Sequence, residues 1–173
     1  MKTKIEIIKD DITKQNVDAI VYAANTSLLG GGGVDGAIHR AAGPELLKYN
    51  KKLGGCPTGD VKLAPGFNLP AKFVIHTVGP IWNSGEKNED KLLANCYKNS
   101  LLLAVQKNFK SIAFPSISTG VYGFPLERAV NIALTETKKF LSENDELERI
   151  LFVCFDERTK DVYVENYKRI FNT

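Results

Sequence analysis

One feature constrains this chain more than any other. An unbroken apolar run, Ala19-Ile20-Val21-Tyr22-Ala23-Ala24, passes into Asn25 and, within a few residues, into four consecutive glycines, Gly30 to Gly33. A run with no polar alternation fits a strand covered on both faces, the kind found inside largely parallel sheets. Glycines directly after such a strand allow positive φ and let a ligand approach the main chain closely. Val34 to Ala42 then reads as a helix stopped by Gly43-Pro44.

The rest of the chain repeats the alternation. Ile5–Lys9, Val61–Ala64, Phe73–Val78, Ser111–Phe114 and Ile150–Phe155 read as strands, with Pro65-Gly66 and Gly79-Pro80 punctuating two of them. Leu92, Leu93, Cys96, Tyr97, Ser100, Leu101 and Ala104 share one helical face, and Leu126, Ala129, Val130, Ala133, Leu134, Thr137 and Phe140 another. Tyr163, Tyr167, Ile170 and Phe171 line a final helix. Strands alternating with helices imply α/β: a three-layer α/β/α sandwich with a mostly parallel, mixed sheet. At 173 residues, without linker, repeat or low-complexity tract, the expectation is one domain over 1–173.

Composition narrows the class. With 43% hydrophobic and 25% charged residues the chain is an ordinary globular sequence rather than a disordered one. The net charge of +3 is short of a dedicated nucleic-acid binder. Cys56, Cys96 and Cys154 are odd in number and form no C-x-x-C, which argues against a disulfide framework or a zinc ribbon and fits a reducing, cytoplasmic setting. Glu6 and Lys9 interrupt any signal-peptide core, and no apolar run approaches the ~20 residues of a membrane span. No membrane association, metal or cofactor is expected.

The two longest uncharged stretches are Ala19–Val34 and Ser111–Leu126, and each carries a strand into a Gly/Ser-rich loop. In α/β sheets, ligands bind outside the carboxyl ends of the strands. Successive amides form anion-binding nests, and a helix N-terminus adds partial positive charge. Two such loops are suited to gripping a diphosphate from both sides; the plain alternative is a pair of flexible turns. Neither loop contains Lys or Arg, so any anion there is held by neutral amides.

Gly31 to Gly36 satisfies G-x-G-x-x-G, but Asp35 lies inside the fingerprint, where it would repel a pyrophosphate. No Lys follows the glycines as in a Walker loop, and G-x-S-x-G is absent. Of the two histidines, His76 sits mid-strand and reads as core. His39, one turn after Asp35, is a candidate to face the loop. Asn25 is either a ribose-binding amide or a strand-end turn residue, and Asp35 either a site acid or a favourable carboxylate at a helix start.

These blocks resemble the macrodomain family, MacroD-type branch. The resemblance rests on Asn25 with Leu28–His39, Ala41–Pro44, Cys56–Asp60, Ile75–Pro80 and Phe114–Gly123, in that order over nearly the whole chain. It implies an ADP-ribose-binding hydrolase that removes mono-ADP-ribose from acidic side chains and deacetylates O-acetyl-ADP-ribose. Carried over by position, Asp11 and Ile12 read adenine and Phe155 packs on it. Gly32, Gly33 and Val34 form the first phosphate loop. Ser118, Thr119, Gly120, Val121 and Tyr122 form the second, and Tyr122 either closes over the ligand or packs. Asn25 and Asp35 stand at the distal ribose. The family commonly reads Val-Asn-Ala-Ala-Asn where this chain has Val21-Tyr22-Ala23-Ala24-Asn25, so the second Asn is kept and the first is replaced. A zinc-containing branch exists, but Cys56 has no obvious Cys/His partners nearby in the sequence. A binding-only reader of ADP-ribose and an RNA-interacting regulator are the alternatives; no aromatic-plus-basic platform is visible for RNA. The partners expected are ADP-ribose, mono-ADP-ribosylated proteins or O-acetyl-ADP-ribose, with the chain acting as a monomer.

Overall fold

A computed structural model describes residues 2–30 and 33–172, with 33–35 described by their backbone alone. Its strands form one six-stranded sheet. They are β1 (Lys4–Lys9), β2 (Ala19–Ala23), β3 (Val61–Pro65), β4 (Phe73–Thr77), β5 (Ser111–Phe114) and β6 (Arg149–Cys154). The helices are α1 (Gly33–Ala42), α2 (Pro44–Leu53), α3 (Glu89–Gln106), α4 (Leu126–Glu143) and α5 (Glu157–Phe171). The sheet order is β1-β6-β5-β2-β4-β3, parallel throughout except for β3, which runs antiparallel along β4 at one edge.

The inner strands are apolar because both faces are covered. Along β2, Ala19 and Val21 enter one core, with Leu93, Tyr97 and Leu101 of α3, Ala133 of α4 and Tyr163 of α5. Ile20 and Tyr22 enter the other, with Ile38 of α1 and Leu46 of α2. This is the period-two alternation of a pleated strand, applied to a strand with no solvent face. The three layers are therefore α1–α2, the sheet, and α3–α4–α5. In the first of these cores Phe114, Phe152 and Tyr163 stack with centroids 5.7 and 5.2 Å apart, tying β5 and β6 to α5. Each such side chain stabilises the fold by roughly 1.5–3 kcal/mol through burial.

Two features differ from the reading of the sequence. Gly43-Pro44 does end α1, yet α2 begins at once. Gly43 turns the chain at φ 88° and Pro44 occupies the first helical turn, where its missing N–H costs nothing. Only Leu46 and Asn50 of α2 are buried, so the helix has little apolar stripe to announce it. The last strand ends at Cys154 rather than Phe155, and Phe155 is 70% exposed. Among the described residues, no helix is long and apolar enough to cross a membrane.

Candidate active site

Four neighbouring parallel strands deliver the candidate residues to one edge. Asp11 and Ile12 follow β1, Phe155 follows β6, Ser116–Phe124 follows β5, and Asn25 follows β2. With strands ~4.8 Å apart, the ends of β1 and β2 lie roughly 14 Å apart, a span suited to an extended dinucleotide rather than a single small anion.

At the β1 end the turn is pinned by its own carboxylates. Asp10 Oδ1 accepts from the Asp11 amide (2.7 Å) and Oδ2 from Gln15 Nε2 (3.1 Å). The Asp11 amide, then Gln15, hold the Asp10 carboxyl below its ordinary pKa. Asp11 caps the short 3-10 helix Ile12–Lys14: its Oδ1 accepts from the Thr13 amide (2.9 Å) and Thr13 Oγ1 (2.7 Å). Asp11 is exposed and Ile12 buried.

At the β2 end Asn25 organises the first loop. Its Nδ2 donates to Gly30 O (2.9 Å), and its Oδ1 accepts from Ser27 Oγ (2.7 Å) and the Leu28 amide (3.1 Å). From behind, the His39 ring supports Gly30: a Cβ there would meet His39 Cδ2 at 3.4 Å and Nε2 at 3.5 Å. His39 packs edge-on against Tyr22 (5.6 Å), which packs against His76 (5.1 Å). Tyr22 and His76 are fully buried and face each other across β2 and β4. Burial lowers the pKa of His39. Burial, then the neighbouring His39, lowers that of His76 to about 4. His76 is thus core, and His39 lies beneath the loop. Gly32 lies outside the described residues. Gly33, Val34 and Asp35 form the first turn of α1, and their side chains lie outside the described set.

The second loop is fixed from below and left open above. Tyr97 of α3, fully buried, accepts from the Ile117 amide (3.3 Å) and lies 3.4 Å from both Pro115 O and Tyr163 Oη. Burial pushes the Tyr97 phenol well above its ordinary pKa, so it stays a neutral hydrogen-bonding post. Ser118 adopts φ 66°, and the Phe124 amide closes the loop onto Ser118 O (2.9 Å). Gly123 N donates to Gly120 O (3.0 Å). Thr119 Oγ1 donates to Ser116 O (3.1 Å). Among the described residues, the amides of 119–122 donate no backbone hydrogen bond within the loop. Gly120 and Val121 are exposed and Tyr122 half-buried. Gly79 backs the loop so closely that a Cβ there would sit 2.2 Å from Ser118 Oγ and 2.6 Å from Ile117 Cγ2. Tyr97 and Gly79 were not singled out as site residues from the sequence. Their signals, a tyrosine within an apolar helical face and a Gly-Pro after a strand, read equally well as core and punctuation.

A three-layer α/β/α sandwich with paired Gly/Ser loops at the carboxyl edge of its sheet defines a class of α/β protein whose ligand crevice lies at that edge. Comparison narrows the class. The Macro domain family model matches residues 21–133. The chain is 58% identical over 159 residues to a macro domain-containing protein of Chlorobaculum tepidum, covering 92% of each. It is 54% identical to the O-acetyl-ADP-ribose deacetylase of Escherichia fergusonii, covering 94% of each. The Oceanobacillus iheyensis macrodomain solved with ADP superposes with a TM-score of 0.95 at 50% identity, covering 99% of this chain and 93% of that one. The Trypanosoma brucei macrodomain in complex with ADP-ribose gives 0.88 at 46%, covering 93% and 68%. The chain belongs to the Macro domain family.

Proposed function

We propose that residues 1–173 act as one macrodomain that binds ADP-ribose along this edge and hydrolyses esters at its distal ribose. In this reading it removes mono-ADP-ribose from Asp and Glu side chains and deacetylates O-acetyl-ADP-ribose. The observation that carries the reading is the second loop: a rigidly supported turn whose consecutive amides, 119–122, are not spent on holding the loop together. It follows β5, and the neighbouring strand β2 leads into α1, whose N-terminal amides and dipole favour a negative charge. The ligands of the Oceanobacillus and Trypanosoma macrodomains and the activity named for the Escherichia relative support the same assignment.

The assignment of roles follows the edge. Asp11, whose Oδ1 is committed to Thr13, offers Oδ2 to the adenine amino group, while the Ile12 main chain reads the ring and exposed Phe155 covers it. Gly32, Gly33 and Val34 hold the diphosphate from one side and Ser118–Tyr122 from the other. Asn25 and Asp35 address the distal ribose, and His39 shapes the first loop from beneath Gly30.

An isolated Asp, with pKa ~3.9, is a weak base at neutral pH. Nearby phosphates raise that value by like-charge repulsion, and a phosphate oxygen is itself a proton acceptor. Asp35 and the diphosphate together therefore orient a water and receive its proton. For a carboxylate-linked substrate, the new bond runs from water oxygen to the anomeric carbon while the carboxylate leaves with its electron pair. A carboxylate leaves readily, so orientation supplies much of the acceleration. Arginine N-glycosides and serine ethers, with poorer leaving groups, resist. Single-turnover release from a carboxylate-linked substrate tests this: Asn25→Ala and Asp35→Ala are expected to lose ~100-fold or more. Unchanged rates in both variants would remove the catalytic assignment.

A further inference from the structure

Residues 81–88 lie in the connection from β4 to α3 and carry the chain's single tryptophan, Trp82. The segment bends through left-handed conformations at Ser84 (φ 56°), Gly85 (φ 78°) and Asn88 (φ 61°). Two of these are non-glycine residues, and such conformations persist only where the surroundings over-determine them. The over-determining group is Glu89, only 1% exposed. Its Oε2 accepts from the amides of Asn83 (2.7 Å) and Gly85 (3.0 Å), and its Oε1 accepts from the amide of Lys87. All three donors precede α3, so these bonds serve the loop rather than cap the helix that Glu89 begins. Burial opposes ionisation of Glu89, but the amides of Asn83, Glu89 itself, Lys87 and Gly85 outweigh it and hold the carboxyl below its ordinary pKa. An ionised carboxylate presents acceptors only; a side-chain amide would turn an N–H toward backbone N–H groups.

The braced segment leans on the second site loop. Trp82 N donates to Tyr122 O (2.8 Å), and the Trp82 ring packs on Phe124 with centroids 4.8 Å apart. Arg128 of α4 lies over the same ring at 5.1 Å, and its guanidinium forks onto Asp90, next to Glu89. A chain of direct contacts thus runs from the Glu89 carboxylate through residues 82–88 to the main chain of Tyr122.

We propose that Glu89 is a positioning residue for ligand binding: by fixing residues 82–88 it holds Tyr122, and with it the amides of 119–122, in the geometry that receives the diphosphate. The inference rests on the reading that this loop grips that group. It goes further in assigning the loop's alignment to a carboxylate that itself touches no ligand.

Calorimetric titration of wild type and Glu89→Gln with ADP-ribose and with AMP provides the test. AMP reaches only the adenine end and a single phosphate, so a loop displaced at Tyr122 costs it less. The variant is expected to weaken ADP-ribose by ~10-fold or more and AMP by no more than about twofold. It should also speed amide exchange in 82–88 and 118–124 without speeding that of β2 or β4. Should Glu89→Gln fail to fold, Trp82→Leu, which removes the packing on Phe124 without stranding buried amides, is judged by the same criteria. A wild type blind to ADP-ribose would sink the site reading and this inference with it. A wild type that binds, beside variants that lose both ligands equally or neither, would overturn the role of Glu89 alone.

Discussion

Replacing Gly79 by alanine is the sharpest probe of how the second loop is supported. Gly79 does not need positive φ, so the backbone accepts alanine and the cost is one of space. The added methyl would meet Ser118 Oγ at 2.2 Å and Ile117 Cγ2 at 2.6 Å. Comfortable contacts begin near ~3.5 Å, so the loop or β4 must move by about 1 Å. Overpacking of this kind costs ~1–3 kcal/mol. For a chain of this length that corresponds to a fall in melting temperature of roughly 2–12 °C. The loop is the more yielding partner, because Thr77 and Ala23 pair in the sheet ladder just below Gly79 while Gly120 and Val121 are exposed. A displacement of ~1 Å at a site of this kind lowers turnover by up to ~100-fold. Single-turnover hydrolysis and a thermal melt should therefore both fall. Adding Ser118→Gly removes the shorter clash and suits φ 66°, so it should restore part of each. A Gly79→Ala protein that melts and turns over like wild type would refute the close support described for this loop.

Acid sensitivity should trace to His76. Its pKa is lowered by burial from 6.5 to about 4, so between those values the unfolded chain binds a proton that the folded chain does not. Stability then falls as pH drops across that window, by ~3 kcal/mol in all, and melting curves of His76→Phe at pH 7 and pH 4.5 should differ less than those of wild type. Tyr22 Oη is buried with no hydrogen-bond partner among the described residues, so Tyr22→Phe removes a desolvation cost. The melting temperature should hold or rise, and a clear drop would show that the hydroxyl is satisfied. Because neither loop carries Lys or Arg, raising salt from ~0.05 to ~0.5 M should weaken ADP-ribose binding by less than ~10-fold in calorimetry.

Where the fold was legible, the reason was burial on both faces. Ala19–Ala23 and Ile150–Cys154 carry no charge to break their apolar runs, so both strands and the loops beyond them are readable from the residues. The antiparallel sense of β3 was not readable, because a short edge strand such as Val61–Pro65 shows no polarity of pairing. Helix α2 was hidden by a Gly-Pro pair that both ends one helix and starts the next. Of the site, Asn25 and the two loops stood out through their local composition. The supports under them did not. Trp82 and Tyr97 act across chain separations that no local window spans, and Glu89, though its bonds are local, reads simply as a helix-start charge. His39 was visible as a candidate, but its place beneath Gly30 and against Tyr22 depends on how α1 packs on β2.

The decisive measurement is a crystal of the protein soaked with ADP-ribose. The diphosphate is expected within hydrogen-bonding distance of the amides of residues 119–122 and of the start of α1, with the distal ribose beside Asn25 and the adenine between Asp11 and Phe155. A diphosphate held elsewhere, or the two loops untouched by a bound nucleotide, would contradict it.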